Sequence, residues 1–271
     1  MSKLYIQCRK LALSIIDKVT IRKGVKINIH DIGIRVPGRY LRYFESDYEK
    51  ENFTFLKENI KPGMTCVDIG GHIGIYAVFM AKMKVGKVFC FEPTPASFTI
   101  LKKTVSLNHC ENIIHIYQAA IAENTGKSYF YINKYQREGK DTTRIAEGNS
   151  LVYFDSGENI LKEKFEVPTF SLDDFARQHN LKIDFIKIDA EGAELDILKG
   201  AQKTILKDRP AGILSIHTFT FPDKGKTLLD IWEIAKELHL KLLFANTEIT
   251  KQEFLTTDEK GLFDLQFIPN P

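Results

Sequence analysis

The sequence lacks two kinds of segment that would place it outside the cytoplasm. No apolar run reaches the 18 residues that a membrane-spanning helix needs, and the N-terminus lacks the uninterrupted apolar stretch of a signal peptide. The four cysteines have no paired short spacing, which argues against a zinc site or a disulfide framework and favours reduced thiols in the core. We therefore expect a cytoplasmic protein without a transmembrane segment.

A large charge of one sign is also missing. The chain of 271 residues has 38 basic and 35 acidic side chains, which leaves a net charge of +3. That balance supplies no basic groove, so we expect neither nucleic acid nor an anionic membrane as the main partner. With 44% hydrophobic residues the chain can bury one large core. We predict one main domain over residues 51–271 and a small helix and ribbon appendage over residues 1–50.

The most informative stretch is Thr65–Gly74, which reads T-C-V-D-I-G-G-H-I-G. Val67 and Ile69 are typical of a buried strand, and the apolar spacing from Ile75 onward predicts a helix. At such a strand-to-helix corner, glycine allows positive φ and a close approach of ligand to main chain, and the helix offers free N–H groups. We therefore predict a nucleotide-type site in this turn, formed by Gly70, Gly71, His72 and Gly74.

Two acids favour one kind of nucleotide. Asp68 stands two residues before the first glycine, where it would repel the pyrophosphate of a dinucleotide but attract the ammonium and sulfonium of S-adenosylmethionine. Glu92 follows the next predicted strand, Val88–Phe91, and can accept hydrogen bonds from both ribose hydroxyls. S-adenosylmethionine is therefore the predicted cofactor. The alternatives are a nicotinamide-dependent oxidoreductase on the same sheet and a non-catalytic nucleotide-binding module.

Strand and helix patterns alternate along most of the chain, which predicts an α/β fold with a doubly wound, mostly parallel sheet. Lys3–Lys23 predicts a basic amphipathic helix, which would pack on the chain's own core, on a membrane surface or against a second copy in a homo-oligomer. Val25–Val36 predicts a β-ribbon. The polar stretch Lys134–Glu158 interrupts the alternation, either as a loop that shapes the substrate pocket or as a surface excursion.

Further ionisable residues stand at the ends of later predicted strands. Ligands of an open parallel sheet bind beyond the carboxyl ends of its strands, so we predict that Asp189 and His217 lie in the site. Glu191 and Glu194 are candidates for binding substrate or a divalent ion, although acids at a helix N-terminus can serve its dipole alone. His217 can equally be a half-buried structural histidine. No metal site is predicted.

At these residues the chain resembles the FkbM-type S-adenosylmethionine-dependent methyltransferases. The matching stretches are V-D-I-G-G-H-I-G at Val67–Gly74, F-E-P at Phe91–Pro93 and D-F-I-K-I-D-A-E-G-A-E-L-D-I-L-K-G-A at Asp184–Ala201, of which the last is the most specific. The resemblance implies a Rossmann-like, seven-stranded sheet with one antiparallel edge strand. It also implies methylation of a hydroxyl on a sugar, glycan or secondary metabolite. Family members often carry an acid shortly before the histidine of the fifth strand, where this chain has Ser215.

Transfer of a methyl group to a hydroxyl requires a base that takes the hydroxyl proton. His217 is the first candidate, because the unperturbed pKa of histidine lies near working pH. Asp189 is the second. Alternatively, Asp189 orients the acceptor, or holds a divalent ion together with Glu191.

Overall fold

The computed structural model describes residues 23–38, 40, 48–133, 162–221, 225–257 and 263–270. The predicted helix over Lys3–Lys23, save its last residue, and the polar stretch Lys134–Glu158 lie outside these residues. Within the described ranges, no helix combines the length and the apolar character needed to cross a membrane. The described cysteines, Cys66, Cys90 and Cys110, are buried and unbridged, as predicted.

The N-terminal ribbon consists of β1 (Val25–Ile29) and β2 (Ile32–Val36), which pair antiparallel as predicted. Helix α1 (Lys50–Asn59) follows and places Phe53 against the ring of Tyr76. The apolar side chains of ribbon and helix share one core cluster with the helix that follows the glycine turn. The division of the chain at residue 50 stays a prediction.

The main sheet has eight strands in the order β12-β11-β13-β10-β9-β3-β4-β5. In chain order they are β3 (Thr65–Ile69), β4 (Lys87–Phe91), β5 (Ile114–Tyr117), β9 (Phe185–Ile188), β10 (Ala211–Ile216), β11 (Leu240–Phe244), β12 (Thr247–Glu248) and β13 (Phe263–Pro269). Five neighbouring strands are mutually parallel, in the spatial order β5, β4, β3, β9 and β10, which confirms the doubly wound sheet. Because the chain leaves β3 in one direction and later returns on its other side, β3 and β9 form the switch point where ligands bind.

The sheet differs in two details from the one that the family resemblance implies. β13 runs antiparallel to both β10 and β11, so the antiparallel strand lies inside the sheet and not at its edge. The two-residue strand β12 adds an eighth member at that edge. β13 brings its first residues to the carboxyl ends of the parallel strands, where Asp264 pairs with Ser215.

Helices cover both faces of the main sheet, over two large apolar clusters. They are α2 (Ile75–Lys82), α3 (Pro95–Leu107), α4 (Leu172–Gln178), α5 (Glu194–Lys199), α6 (Gln202–Asp208), α7 (Leu228–Glu237) and α8 (Lys251–Thr256). The apolar spacing of Leu195, Leu198, Ile205 and Leu206 is typical of one continuous helix, but two helices, α5 and α6, lie there. The first helix ends at Gly200, where a Cβ atom would lie 2.3 Å from the Ala122 carbonyl oxygen.

A small second sheet is formed by β6 (Ala120–Ile121), β7 (Gly126–Asn133) and β8 (Lys162–Phe170). The stretches Tyr129–Ile132 and Phe165–Val167 have the composition of short strands, and both lie within longer strands of this sheet. At the start of α4 the Ser171 hydroxyl accepts a hydrogen bond from the Asp174 amide at 3.2 Å. The ring centres of Phe170 and Phe175 lie 5.8 Å apart, so the N-cap and the hydrophobic staple that the spacing of these residues predicts are both present.

Candidate active site

The glycine turn is held directly against the ends of β4 and β9. Gly70 has φ 77° and Gly74 has φ 88°, as predicted for a tight corner. A Cβ atom at Gly70 would lie 1.8 Å from the Asp189 carbonyl oxygen, and one at Gly71 would lie 2.1 Å from the Cys90 sulfur. Only glycine allows this approach, so the turn and the end of β9 form one rigid corner. His72 also has positive φ, at 47°, which the sequence did not indicate.

Glu92 is the acid that ties the turn to β4. It is buried, and its two carboxylate oxygens accept hydrogen bonds from the main-chain amides of His72 at 2.8 Å and Thr94 at 2.7 Å. Burial raises the pKa of Glu92 to about 7, although these amides act to lower it. A carboxylate has room for further donors, so the same oxygens can accept ribose hydroxyls.

Asp68 lies beneath the turn and is fully buried. Burial raises its pKa, whereas the ammonium of Lys187, 3.9 Å from Asp68 Oδ1, acts to lower it. Oδ1 has no hydrogen-bond partner. Asp68 therefore places an acidic side chain directly under the turn. Its attraction for the cofactor's ammonium stays a prediction.

Lys187 is a functional residue that the sequence reasoning missed. Its Nζ donates to Asp189 Oδ2 at 3.0 Å and lies 5.0 Å from the centre of the Tyr76 ring. Burial would lower the pKa of this lysine, but the charges of Asp189 and Asp68 raise it above its usual value. A signal was present in the sequence, because a lysine inside the apolar strand F-I-K-I must be paired to be buried.

His217 is buried and surrounded by carboxylates. Its Nδ1 lies 2.8 Å from Glu194 Oε1, and its Nε2 lies 3.7 Å from Asp189 Oδ1 and 3.6 Å from Glu191 Oε2. Burial would lower the pKa of His217, but Glu194 above all, with Glu191 and Asp189, raises it to about 9. The imidazole is therefore a cation at neutral pH, which the free-histidine pKa used at the sequence level did not anticipate.

Glu194 positions this histidine. It is fully buried, and its Oε1 also accepts the main-chain amides of Gly192 at 2.9 Å and Ala190 at 3.3 Å. One carboxylate oxygen thus fixes both the loop after β9 and the ring of His217. Since Glu194 is shielded from the crevice, the structure gives it a positioning role, and its direct contact with substrate or metal stays a prediction.

Asp189 is the accessible acid of the cluster, with 37% of its side chain exposed against 25% for Glu191. Burial would raise its pKa, but Lys187 and His217 hold it below the usual range. The structure therefore brings together all the strand-end residues named from the sequence. Among the described residues, no three His, Cys, Asp or Glu side chains are arranged to hold a metal ion.

Comparison with known protein families shows the family to which the chain belongs. The model described as "Methyltransferase FkbM domain" matches residues 68–242, which begin at Asp68 and include every other residue of the cluster. The chain belongs to the FkbM methyltransferase family.

Two curated methyltransferases are similar to this chain at low identity. "Methyltransferase sdnD" of Sordaria araneosa is 24% identical over 165 residues, which cover 54% of this chain and 63% of that protein. "2-O-methyltransferase NoeI" of Sinorhizobium fredii is 26% identical over 161 residues, which cover 55% of this chain and 62% of that protein. Both matches therefore cover less than two thirds of the relative's own length.

A solved structure of a methyltransferase FkbM from Methylobacillus flagellatus is 19% identical, with a TM-score of 0.47. It covers 77% of this chain and 44% of that chain.

The FkbM family implies S-adenosylmethionine, and the residues at the turn fit that cofactor. The acids at and beneath the turn, Asp68 and Glu92, suit a ligand with cationic groups and ribose hydroxyls. The buried oxygen Asp68 Oδ1 has no hydrogen-bond partner, and the narrow corner at Gly70 has no room for a side chain. A pyrophosphate would meet negative charge at the same place.

A second polar network adjoins the cluster around His217, and its contacts between β10, β13 and α1 were not predicted from the sequence. The Ser215 hydroxyl donates to Asp264 Oδ1 at 2.5 Å, and Asn52 Nδ2 donates to Asp264 Oδ2 at 2.8 Å. The Tyr76 hydroxyl contacts the carboxylate of Glu49. Ser215, two residues before His217, thus bonds to an acid from β13.

Proposed function

We propose that this chain transfers a methyl group from S-adenosylmethionine to a hydroxyl of a sugar or a secondary metabolite. The observation that carries the proposal is the position of Asp189. Its main chain packs against Gly70 of the turn, while its side chain is the most exposed carboxylate of the cluster. A cofactor at the turn and an acceptor at Asp189 would therefore be neighbours. The name of NoeI, a 2-O-methyltransferase, supports oxygen as the methylated atom.

When bound, S-adenosylmethionine supplies an electrophilic methyl group on a sulfonium. Glu92 and the glycine turn would hold the ribose and orient the cofactor, because they carry the buried acceptors and the closely approached main chain. Methyl transfer is an in-line displacement, so alignment of the acceptor with the methyl group supplies much of the acceleration. The rigid contact between Gly70 and Asp189 would hold the two partners in line.

Two neighbouring residues have different roles toward the acceptor hydroxyl in this proposal. Asp189 orients it, because the ionised carboxylate accepts its hydrogen bond and is exposed. His217 takes the proton in its neutral form, which becomes abundant as the pH rises toward its pKa of about 9. A chain that merely bound a nucleotide would not need this buried cluster, whose cation and carboxylates are costly to desolvate.

Calorimetric titration is the direct test of the cofactor. We expect S-adenosylmethionine and its demethylated product to bind, and NAD to give no heat, because Asp68 would repel a pyrophosphate at the turn. Tight binding of NAD with no response to the sulfonium cofactor would overturn the proposed function.

Glu92→Ala is expected to weaken cofactor binding by about 10- to 100-fold, since it removes hydrogen bonds to a charged acceptor worth about 1.5–3 kcal/mol. The dissociation constant of S-adenosylmethionine measures the effect. If the variant binds as tightly as the parent, Glu92 does not hold the ribose. Glu163→Ala, in β8 of the second sheet, is the matched control and should bind like the parent.

Cofactor binding should also depend on pH through Glu92. Its pKa of about 7 means that the carboxylate gains a proton as the pH falls through 7 and loses an acceptor for the ribose hydroxyls. We expect the dissociation constant to rise by up to about tenfold per pH unit below 7. Glu92→Gln should bind weakly and with no such dependence, as followed by calorimetry between pH 5.5 and 8.5. A variant with the parent's pH dependence would assign it to another group.

A further inference from the structure

A cavity of about 590 Å³ opens beside the candidate active site, between α1, the ends of β11 and β13, and α8. Its volume lies within the range of sites for small molecules. Among the residues that the structure describes, its lining combines acids, amides and aromatic rings, and includes no lysine or arginine. The residues are Glu49, Glu51, Asn52, Phe244, Ala245, Thr256, Thr257, Phe263, Asp264 and Gln266.

The cavity wall and the catalytic cluster share polar contacts. Asp264 accepts a hydrogen bond from the hydroxyl of Ser215, which lies near the end of β10, two residues before His217. Glu49 contacts the hydroxyl of Tyr76, whose ring lies over the ammonium of Lys187. A molecule in the cavity would therefore lie next to the residues that surround Asp189.

The side-chain donors of the described wall residues already form hydrogen bonds within the protein, and the threonine hydroxyls donate to main-chain carbonyls of α8. Asn52 Nδ2 donates to Asp264 and to Glu49 Oε2 at 3.5 Å, and Gln266 Nε2 donates to Asn52 Oδ1 at 2.8 Å. The capacity that remains is mostly acceptor capacity, because a carboxylate accepts about four hydrogen bonds. A ligand that fits this wall must therefore bring hydrogen-bond donors.

The described part of the wall is rich in acidic side chains. Three of its residues, Glu49, Glu51 and Asp264, carry carboxyl groups, and the cation behind them, Lys187, has only 5% of its side chain exposed. Burial raises the pKa of Glu49 and of Asp264, and nearby negative groups raise both further. An ammonium on the ligand would relieve this repulsion, whereas a phosphate or carboxylate would add to it.

Two aromatic rings complete the cavity. Phe244, which is 42% exposed, and Phe263 come from the ends of neighbouring strands. Such rings offer apolar surface to the CH face of a sugar and a favourable partner to a cation. The combination of acceptor-rich polar groups and aromatic surface suits a polyhydroxylated ring.

We propose that this cavity is the acceptor site, and that it selects a polyhydroxylated molecule with an ammonium group and no acidic group, such as an amino sugar. The proposal rests on the proposed function, which supplies the neighbouring cofactor site. Hydroxyls and the ammonium donate to the acids and amides of the wall, and the ring packs against Phe244 and Phe263.

Binding of three probes to the protein saturated with S-adenosylhomocysteine tests the proposal without turnover. The probes are glucosamine, neutral glucose and anionic glucosamine 6-phosphate, followed by saturation-transfer NMR in a buffer with chelator. We expect glucosamine to bind about tenfold or more tightly than either of the others. Glu51→Lys should abolish this preference and favour the phosphorylated probe. Glu58→Lys, the same change on α1 outside the cavity, should leave the preference intact.

The outcomes separate the two proposals. Failure of S-adenosylhomocysteine to bind would contradict the proposed function. If it binds while glucosamine does not, or binds no better than its phosphate, the selectivity assigned to the cavity is wrong. Equal effects of Glu51→Lys and Glu58→Lys would also overturn it. Because Glu51 is exposed, its replacement does not disturb the buried network, and thermal unfolding should be close to that of the parent.

Discussion

Replacement of His217 by alanine is expected to lower kcat by about 10²- to 10⁴-fold with little change in cofactor affinity. The variant loses the base that Glu194 holds between Asp189 and Glu191. Because the pKa of His217 is about 9, kcat of the parent should rise with pH up to that value. This ascending limb should disappear in the variant. Steady-state kinetics from pH 6 to 10 measure both effects.

Asp189→Asn is the contrast to His217→Ala. If Asp189 orients the acceptor, the variant should lose rate but keep the ascending limb, shifted to lower pH because one carboxylate beside His217 is gone. His217→Asn, which can still donate to Glu194, controls for loss of fold. Near-parent activity of His217→Ala, together with loss of turnover on adding a chelator, would make the histidine assignment wrong. It would favour a metal-dependent route through Asp189 and Glu191.

Stability should follow the same titration. The folded pKa of His217 is raised above its unfolded value of about 6.5, so the protonated ring stabilises the fold most fully below that pH. This contribution is lost as the pH rises through about 9. The parent should therefore lose more stability than His217→Asn between pH 6.5 and 9 in urea titrations.

Lys187→Met is expected to destabilise the protein by about 3–5 kcal/mol, because it removes one partner of a buried ion pair and leaves Asp68 uncompensated. The free energy of unfolding in urea measures the loss. Cofactor binding should fall as well, since Nζ lies 3.4 Å from the Gly70 carbonyl oxygen and supports the turn.

A matched control for Lys187→Met lies on the same segment of chain. Lys182 also pairs with an aspartate two residues on, at 2.7 Å from Asp184, but 72% of its side chain is exposed. Lys182→Met should leave the urea midpoint nearly unchanged. The double variant Lys187→Met/Asp68→Asn should recover much of the lost stability, because it removes the charge left without a partner. A Lys187→Met protein as stable as the parent would show that water reaches Asp68.

Features that depend on neighbouring residues were accessible from the sequence. The glycine turn, the acid that ends β4 and the cap at Ser171 each arise within a few residues, so local pattern and backbone chemistry are enough to predict them. The alternation of strands and helices likewise predicted the parallel part of the sheet. Parallel strands with crossover helices leave few topologies, and all of them bring Glu92 and Asp189 to one edge.

Features that depend on distant segments were not accessible. The site gains Asp264 from β13, which is brought beside Ser215 by the pairing of β13 with β10. The pKa of His217 depends on Glu194, a carboxylate 23 residues away that sequence spacing alone could not aim at the ring. The short elements β12 and α8 carry too few residues to show a period.

The position of β13 between β10 and β11 determines the order in which these strands can pair during synthesis. β11 is made earlier but cannot join the sheet through β10, because β13 lies between them and pairs with both. A nascent chain that has emerged only as far as α8 therefore holds two unpaired strand edges and lacks Asp264. The pairing of β10 and β11 with β13, and the network around Ser215, can therefore form only after β13 has been made, through contacts between distant parts of the chain.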